Sequence, residues 1–340
     1  EKRRIEAFVS SMFRYAEIAS ASGRLLLHAS TFIANGKQPD VHPHPGGEWL
    51  GDRFWPDGMV RVTGREYNGL LDTPCFQRGK MSCLSCHSMH GYHDKNDQLA
   101  PRMETNNACL QCHDDLRENL TAHTHHAANS AGSHCYNCHM PHTSYGLLKA
   151  IRGHTIETPN VATTLATGRP NACNLCHLDK TLEWTAEQLA DRTGQAKPTV
   201  PDEHRKIAAS ALWLLKGDAG QRALAAWHMG WQPALAASGS GWQQPLLSEL
   251  LNDPYSAVRY MAHKALAKQP GFGGFKYDFV ADEPARLVKR EAALAMWAES
   301  PGDTPTNPAA VLLSANGQRL TNQVQQLIQI RNNRPMRLRE

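Results

Sequence analysis

The chain has 340 residues, carries 36 Lys and Arg against 32 Asp and Glu, and has a net charge of +4 at pH 7. At roughly 150 residues per domain that length gives about two domains. An apolar fraction of 41% with no block of like charge excludes a disordered chain and the basic stripe of a nucleic-acid binder. No apolar run is long enough to span a bilayer. The start, Glu1-Lys2-Arg3-Arg4, lacks a signal-peptide core, as expected of a mature or trimmed chain.

Residues 1–30 place Ile5, Phe8, Val9, Met12, Phe13 and Ala16 at the spacing of an amphipathic helix. Residues 36–74 are rich in turn signals, among them His42-Pro43-His44-Pro45 and Trp55-Pro56-Asp57-Gly58, and read as irregular backbone. His42 and His44 are read as part of a proline-rich turn. Residues 1–74 together form an N-terminal helix and irregular segment that covers the region beginning at residue 75.

All nine cysteines fall between Cys75 and Cys176, and eight of them make four Cys-x-x-Cys-His units. These are Cys83-Leu84-Ser85-Cys86-His87, Cys109-Leu110-Gln111-Cys112-His113, Cys135-Tyr136-Asn137-Cys138-His139 and Cys173-Asn174-Leu175-Cys176-His177. Two thiols three residues apart can form thioethers to the vinyl groups of one haem, and the next histidine then reaches the iron. Zinc explains paired cysteines but not a histidine after every pair. With histidine at about 5% of positions, four such coincidences have a chance probability on the order of one in 100,000. The reading is four covalently attached c-type haems, whose irons take His87, His113, His139 and His177. Cys75 is left over and reads as a small buried hydrophobe.

Four haems between Cys83 and His177 leave about 24 residues each, too few for separate apolar pockets, so the haems themselves form much of the core. Eight further histidines lie in this segment: His90, His93, His123, His125, His126, His134, His142 and His154. Their abundance favours imidazole as the second axial ligand of every iron. His90 and His142 share the pattern Cys-x-x-Cys-His-x-x-His, which suits ligation of a neighbouring haem. Of the adjacent His125 and His126 one ligates, and we assign the position to His126. His154 stands alone on the approach to the fourth unit and is assigned to that haem. The spacing leaves the roles of His93, His123, His125 and His134 open.

Residues 75–184 form the haem region, with short helices and little regular structure. From 185 to 340 cysteine disappears and Ala and Leu recur at helical period. Pro254, Val258, Arg259, Ala262, Ala265 and Leu266 align thirty residues on with Pro284, Val288, Lys289, Ala292, Ala295 and Met296, a pattern of HEAT-type helical repeats. A C-terminal amphipathic helix (Leu320, Val324, Leu327, Ile328) closes the unit. The fold class is therefore mainly α: a multihaem cytochrome c domain followed by an α-helical HEAT-like repeat domain.

Taken together, Ser82-Cys83-Leu84-Ser85-Cys86-His87-Ser88-Met89-His90, Cys138-His139-Met140-Pro141 and Pro170-Asn171-Ala172-Cys173 resemble bacterial multihaem c-type cytochromes, in which a cytochrome c554-like region precedes helical repeats. The resemblance runs roughly from Trp55 to Gly302. It implies an exported electron-transfer protein, with His154 and the His125/His126 pair as distal ligands. Related chains often carry further motifs upstream, whereas residues 1–82 hold none.

The function expected is conduction of single electrons through closely packed bis-histidine haems in the periplasm or outside the cell. Redox proteins or neighbouring cytochrome subunits are the expected partners, with nucleic acid excluded. A homo-oligomer, a conducting filament and a respiratory or photosynthetic complex are all compatible assemblies. The competing class is a multihaem reductase or oxidase of small nitrogen or sulfur compounds, which requires an iron with an open position.

Overall fold

The computed structural model describes residues 50–88, 90–92, 97–302, 304–336 and 338. The helix expected over residues 1–30, His42, His44 and His93 lie outside them.

The haem region is built from short turns and loops. Its helices α1 (Glu66–Leu71), α2 (Leu120–Thr124) and α3 (Cys135–His139) are each one or two turns long. The segment has too few apolar side chains to support longer elements without its cofactors. A small antiparallel hairpin comes next, pairing β1 (Ser144–Gly146) with β2 (Lys149–Ile151). Its turn holds Leu147 and Leu148 at φ 53° and 51°, a left-handed conformation in which Asn-Gly is the usual sequence. The hairpin persists because Tyr145 is fully buried and exchanges backbone hydrogen bonds with Arg61 and Thr63, at 2.8 and 2.9 Å. Trp55 is likewise buried, donating to the Thr143 carbonyl at 3.2 Å. Residues 50–63 therefore belong to the core in addition to forming a cover.

Helix α4 (Val161–Thr167) is capped by Asn160 and ends on Gly168 at φ 73°. Helix α5 (Leu182–Thr193) starts on the Thr181 cap and ends on Gly194. Further helices, beyond a short one over Asp202–Lys206, are α6 (Ala209–Leu215), α7 (Ala219–His228), α8 (Gln232–Ser238), α9 (Gln244–Glu249), α10 (Ser256–Leu266), α11 (Glu283–Glu299) and α12 (Thr321–Gln329). Helix α6 is buried along its whole length, and α7 begins with a capping box between Asp218 and Gln221. Just past α7, Gly230 lets α10 come close: a Cβ there would sit 2.7 Å from the Ala265 Cα.

The molecule is mainly helical, as the sequence implied. One hydrophobic cluster runs without a break from Trp55, Met59 and Tyr145 through Leu175, Leu178 and Leu182 to Leu266, Val311 and Leu327. The haem region and the helical region thus share a core across residue 184. The aligned repeat copies also sit in unlike environments, since Val258 is fully buried whereas Val288 is 68% exposed. Helix α10 is an inner helix; α11 buries only Ala293 and Trp297.

The parts are tied by buried ion pairs. Asp253 accepts from Arg222 Nε at 2.8 Å and Arg331 Nη1 at 3.1 Å. Arg334 reaches Asp52 at 2.8 Å, and Arg61 pairs with Asp218. The residues after α12 therefore strap the helical unit to the first described segment.

Candidate haem site

Each Cys-x-x-Cys-His unit forms a single helical turn. The amide of the motif histidine donates to the carbonyl of the first cysteine: His87 to Cys83 at 2.9 Å, His113 to Cys109 at 3.0 Å and His177 to Cys173 at 2.8 Å. In the third unit the turn is α3 itself. An i to i+4 turn gathers both thiols and the imidazole at one end of the segment, the arrangement thioether attachment requires.

Neighbouring units are joined in chain order. Gln111 of the second unit donates to the Ser85 carbonyl of the first at 3.1 Å. Asn106, just before the second, donates to Ser133 O at 2.7 Å and accepts from Cys135 N of the third at 2.9 Å. Cys138 of the third shares a small cavity with Asn171 and Ala172, which lead into the fourth.

Three motif histidines face a second imidazole. The ring centroids of His87 and His154 are 6.2 Å apart with 20° between planes. For His139 and His123 the values are 6.1 Å and 18°, and for His177 and His126 they are 6.2 Å and 28°. A metal–imidazole bond of about 2.0–2.1 Å, plus roughly 1.1 Å from ring nitrogen to centroid, doubled across one ion, gives about 6.3 Å. The spacing fits one iron between each pair.

The rings are also turned for ligation. Nδ1 bonds a backbone carbonyl in four of them: His87 to Asp97 at 2.9 Å, His139 to Glu157 at 2.8 Å, His126 to Thr124 at 2.6 Å and His154 to Arg152 at 3.1 Å. A carbonyl accepts only from N–H, so Nδ1 carries the proton and Nε2 presents its lone pair. Burial holds His154, His177 and His123 below the ordinary imidazole range, which keeps them neutral as ligation demands. Arg169 steadies the third unit from behind, pairing with Asp57 at 2.8 Å and with Glu157, whose carbonyl receives His139.

The other expected ligands sit elsewhere. His142 is not brought to a motif histidine: its ring lies 4.8 Å from Trp227, 5.2 Å from Trp231 and 6.0 Å from His228. The hairpin turns it toward α7, against residues some 85 positions later, which its motif-like spacing does not reveal. His154 faces the first unit, not the fourth, because the strand pair returns the chain to residue 87. His90 is exposed, and among the described residues no imidazole stacks on it or on His113. His125 is an exposed left-handed residue at φ 56°, and His134 bonds the Tyr136 hydroxyl at 3.1 Å. His123, whose role the spacing leaves open, is the imidazole that faces His139.

The zinc alternative finds no support in the geometry. Among the described residues no three Cys, His, Asp or Glu side chains converge on a metal position.

Residues 75–118, covering the first two units, match the family model of the doubled CXXCH motif. No curated protein and no solved structure matches the chain. The chain carries a multihaem c-type cytochrome-like region, and its CXXCH motifs indicate covalently bound c-type haem.

Proposed function

We propose that the protein is a tetrahaem electron-transfer cytochrome that carries single electrons between redox partners and catalyses no reaction of its own. The observation that carries this reading is the set of three imidazole pairs at one-iron spacing, since an iron closed on both faces passes electrons without binding substrate. His87 with His154, His139 with His123 and His177 with His126 are the axial pairs. Cys83, Cys86, Cys109, Cys112, Cys135, Cys138, Cys173 and Cys176 form the thioethers. For His113 we assign His90, since the hydrogen bond from Gln111 to Ser85 O holds the first unit, five residues before His90, against the second.

The ligands favour rapid exchange. His123 lies in the last turn of α2 and His126 two residues past its end, so one short segment serves the third and fourth irons. His154 and Glu157, three apart, serve the first and third units. The first two units are the exposed end, with Cys83, Cys112 and His113 open to solvent, while Trp184 lies 5.1 Å from His177 at the covered end. Partners of redox-protein type then meet the exposed end, and the helical unit, which we read as HEAT-like, offers a further docking surface. Covalent haem attachment supports a location in the periplasm or outside the cell. Among the described residues no helix is long and apolar enough to cross a membrane.

The test is carbon monoxide binding by the reduced, natively exported protein at neutral pH, alongside electron exchange with an electrode. The expected result is fast exchange and no carbon monoxide adduct. One equivalent bound, with multiple-turnover reduction of nitrite or hydroxylamine, overturns the carrier reading in favour of a reductase.

A further inference from the structure

Arg152 is half-buried at the junction of the third unit, the fourth unit and the segment bearing His154. Its Nη1 donates to the carbonyls of Tyr136 at 2.9 Å and Met140 at 3.1 Å, and its Nη2 donates to Asn137 Oδ1 at 2.8 Å. The guanidinium also lies 4.1 Å from the centre of the Tyr136 ring. These contacts grip α3 at the end that presents His139. On its own backbone, Arg152 supplies the carbonyl that orients His154 at 3.1 Å. One residue thus sets an axial ligand of the first iron and the turn that carries the proximal ligand of the third.

Its charge is as notable as its contacts. Every hydrogen-bond acceptor it meets is a neutral oxygen, and among the described residues no carboxylate pairs with it. It lies close enough to the Cys176 thiol of the fourth unit to act on it electrostatically. A half-buried cation beside a centre that gains an electron stabilises the reduced form of that centre.

We propose that Arg152 is a positioning residue for the axial ligands of the first and third irons and, through its positive charge, raises the reduction potential of the third and fourth haems. The proposal rests on the bis-histidine reading of the site. A loose fork turns the His154 ring away from its iron, and loss of the cation makes each adjacent one-electron reduction less favourable.

The experiment uses the full-length exported holo-protein with wild-type residue, Arg152→Lys and Arg152→Gln, comparing low-spin iron by electron paramagnetic resonance with midpoints from redox titration. Arg152→Gln is expected to lower one or two midpoints by about a tenfold change in equilibrium constant, about 59 mV, and to convert part of one iron to high spin. Arg152→Lys keeps the charge without the planar fork. It is expected to hold the midpoints while showing the same partial high-spin conversion. Unmoved midpoints and full low-spin iron in Arg152→Gln overturn the proposal, as does a variant that loses thermal stability alone. Should Arg152→Gln fail to acquire haem, full low-spin iron in Arg152→Lys overturns the positioning role. A wild-type protein without low-spin signals refutes the bis-histidine reading itself.

Discussion

Replacing His154 by Ala is the sharpest perturbation of the ligand geometry. The His87 and His154 centroids are 6.2 Å apart, a slot filled by one ion and two metal–nitrogen bonds of about 2.0–2.1 Å. Deleting the His154 ring empties one side of it, leaving room for a water at the vacated position. Cys83 and Cys86 are untouched, so attachment persists, and the Gly153 amide still donates to Pro141 O at 2.8 Å, holding the backbone. The expected effect is one iron's share of the low-spin signal, a quarter of the total for four haems, converted to high spin with unchanged intact mass. Free imidazole, which fits the vacated half of the slot, should restore it. Electron paramagnetic resonance with mass spectrometry reads both, and His125→Ala, at an exposed ring outside the pairs, is the control that should change neither. An unaltered spectrum in His154→Ala, or loss of one haem's mass, refutes the assignment.

The same geometry sets other outcomes. Under denaturing conditions the intact mass should exceed that of the polypeptide by four haems. Asp253→Ala strips Arg222 and Arg331 of a fully buried partner, which should cost about 3–5 kcal/mol and lower the melting temperature by roughly 4–7 °C without changing haem content. His228 is fully buried, donates from Nδ1 to Leu224 O at 2.8 Å and is pushed by burial down to about 4. The unfolded chain then binds the extra proton, so stability should fall by about 3 kcal/mol as pH drops from 6.5 to 4. Denaturant midpoints at pH 7 and 4.5 should show that slope in wild type and a shallower one in His228→Gln.

The cysteine motifs were legible because their chemistry is local: attachment needs two thiols and an imidazole within five residues, and that requirement is written in the spacing. His126 and His154 were also reachable, as imidazoles outside the motifs in a haem-rich segment, although which iron His154 meets depends on the hairpin. That hairpin is poorly encoded, since Leu147-Leu148 is an unusual pair for a left-handed turn and is held by the buried Tyr145. The surroundings of His142 were not legible: Trp227 and Trp231 lie beside its ring, a contact that only the folded chain supplies. The exposure of the aligned positions was likewise not legible, because Val258 and Val288 match in sequence while one is buried and the other faces solvent.

The most direct measurement is anomalous diffraction at the iron edge from crystals of the holo-protein. The account predicts iron peaks midway between His87 and His154, between His139 and His123, and between His177 and His126, each continuous with its two cysteine sulfurs. Iron bound to the motif histidines with the second face open, or paired with other side chains, would contradict it.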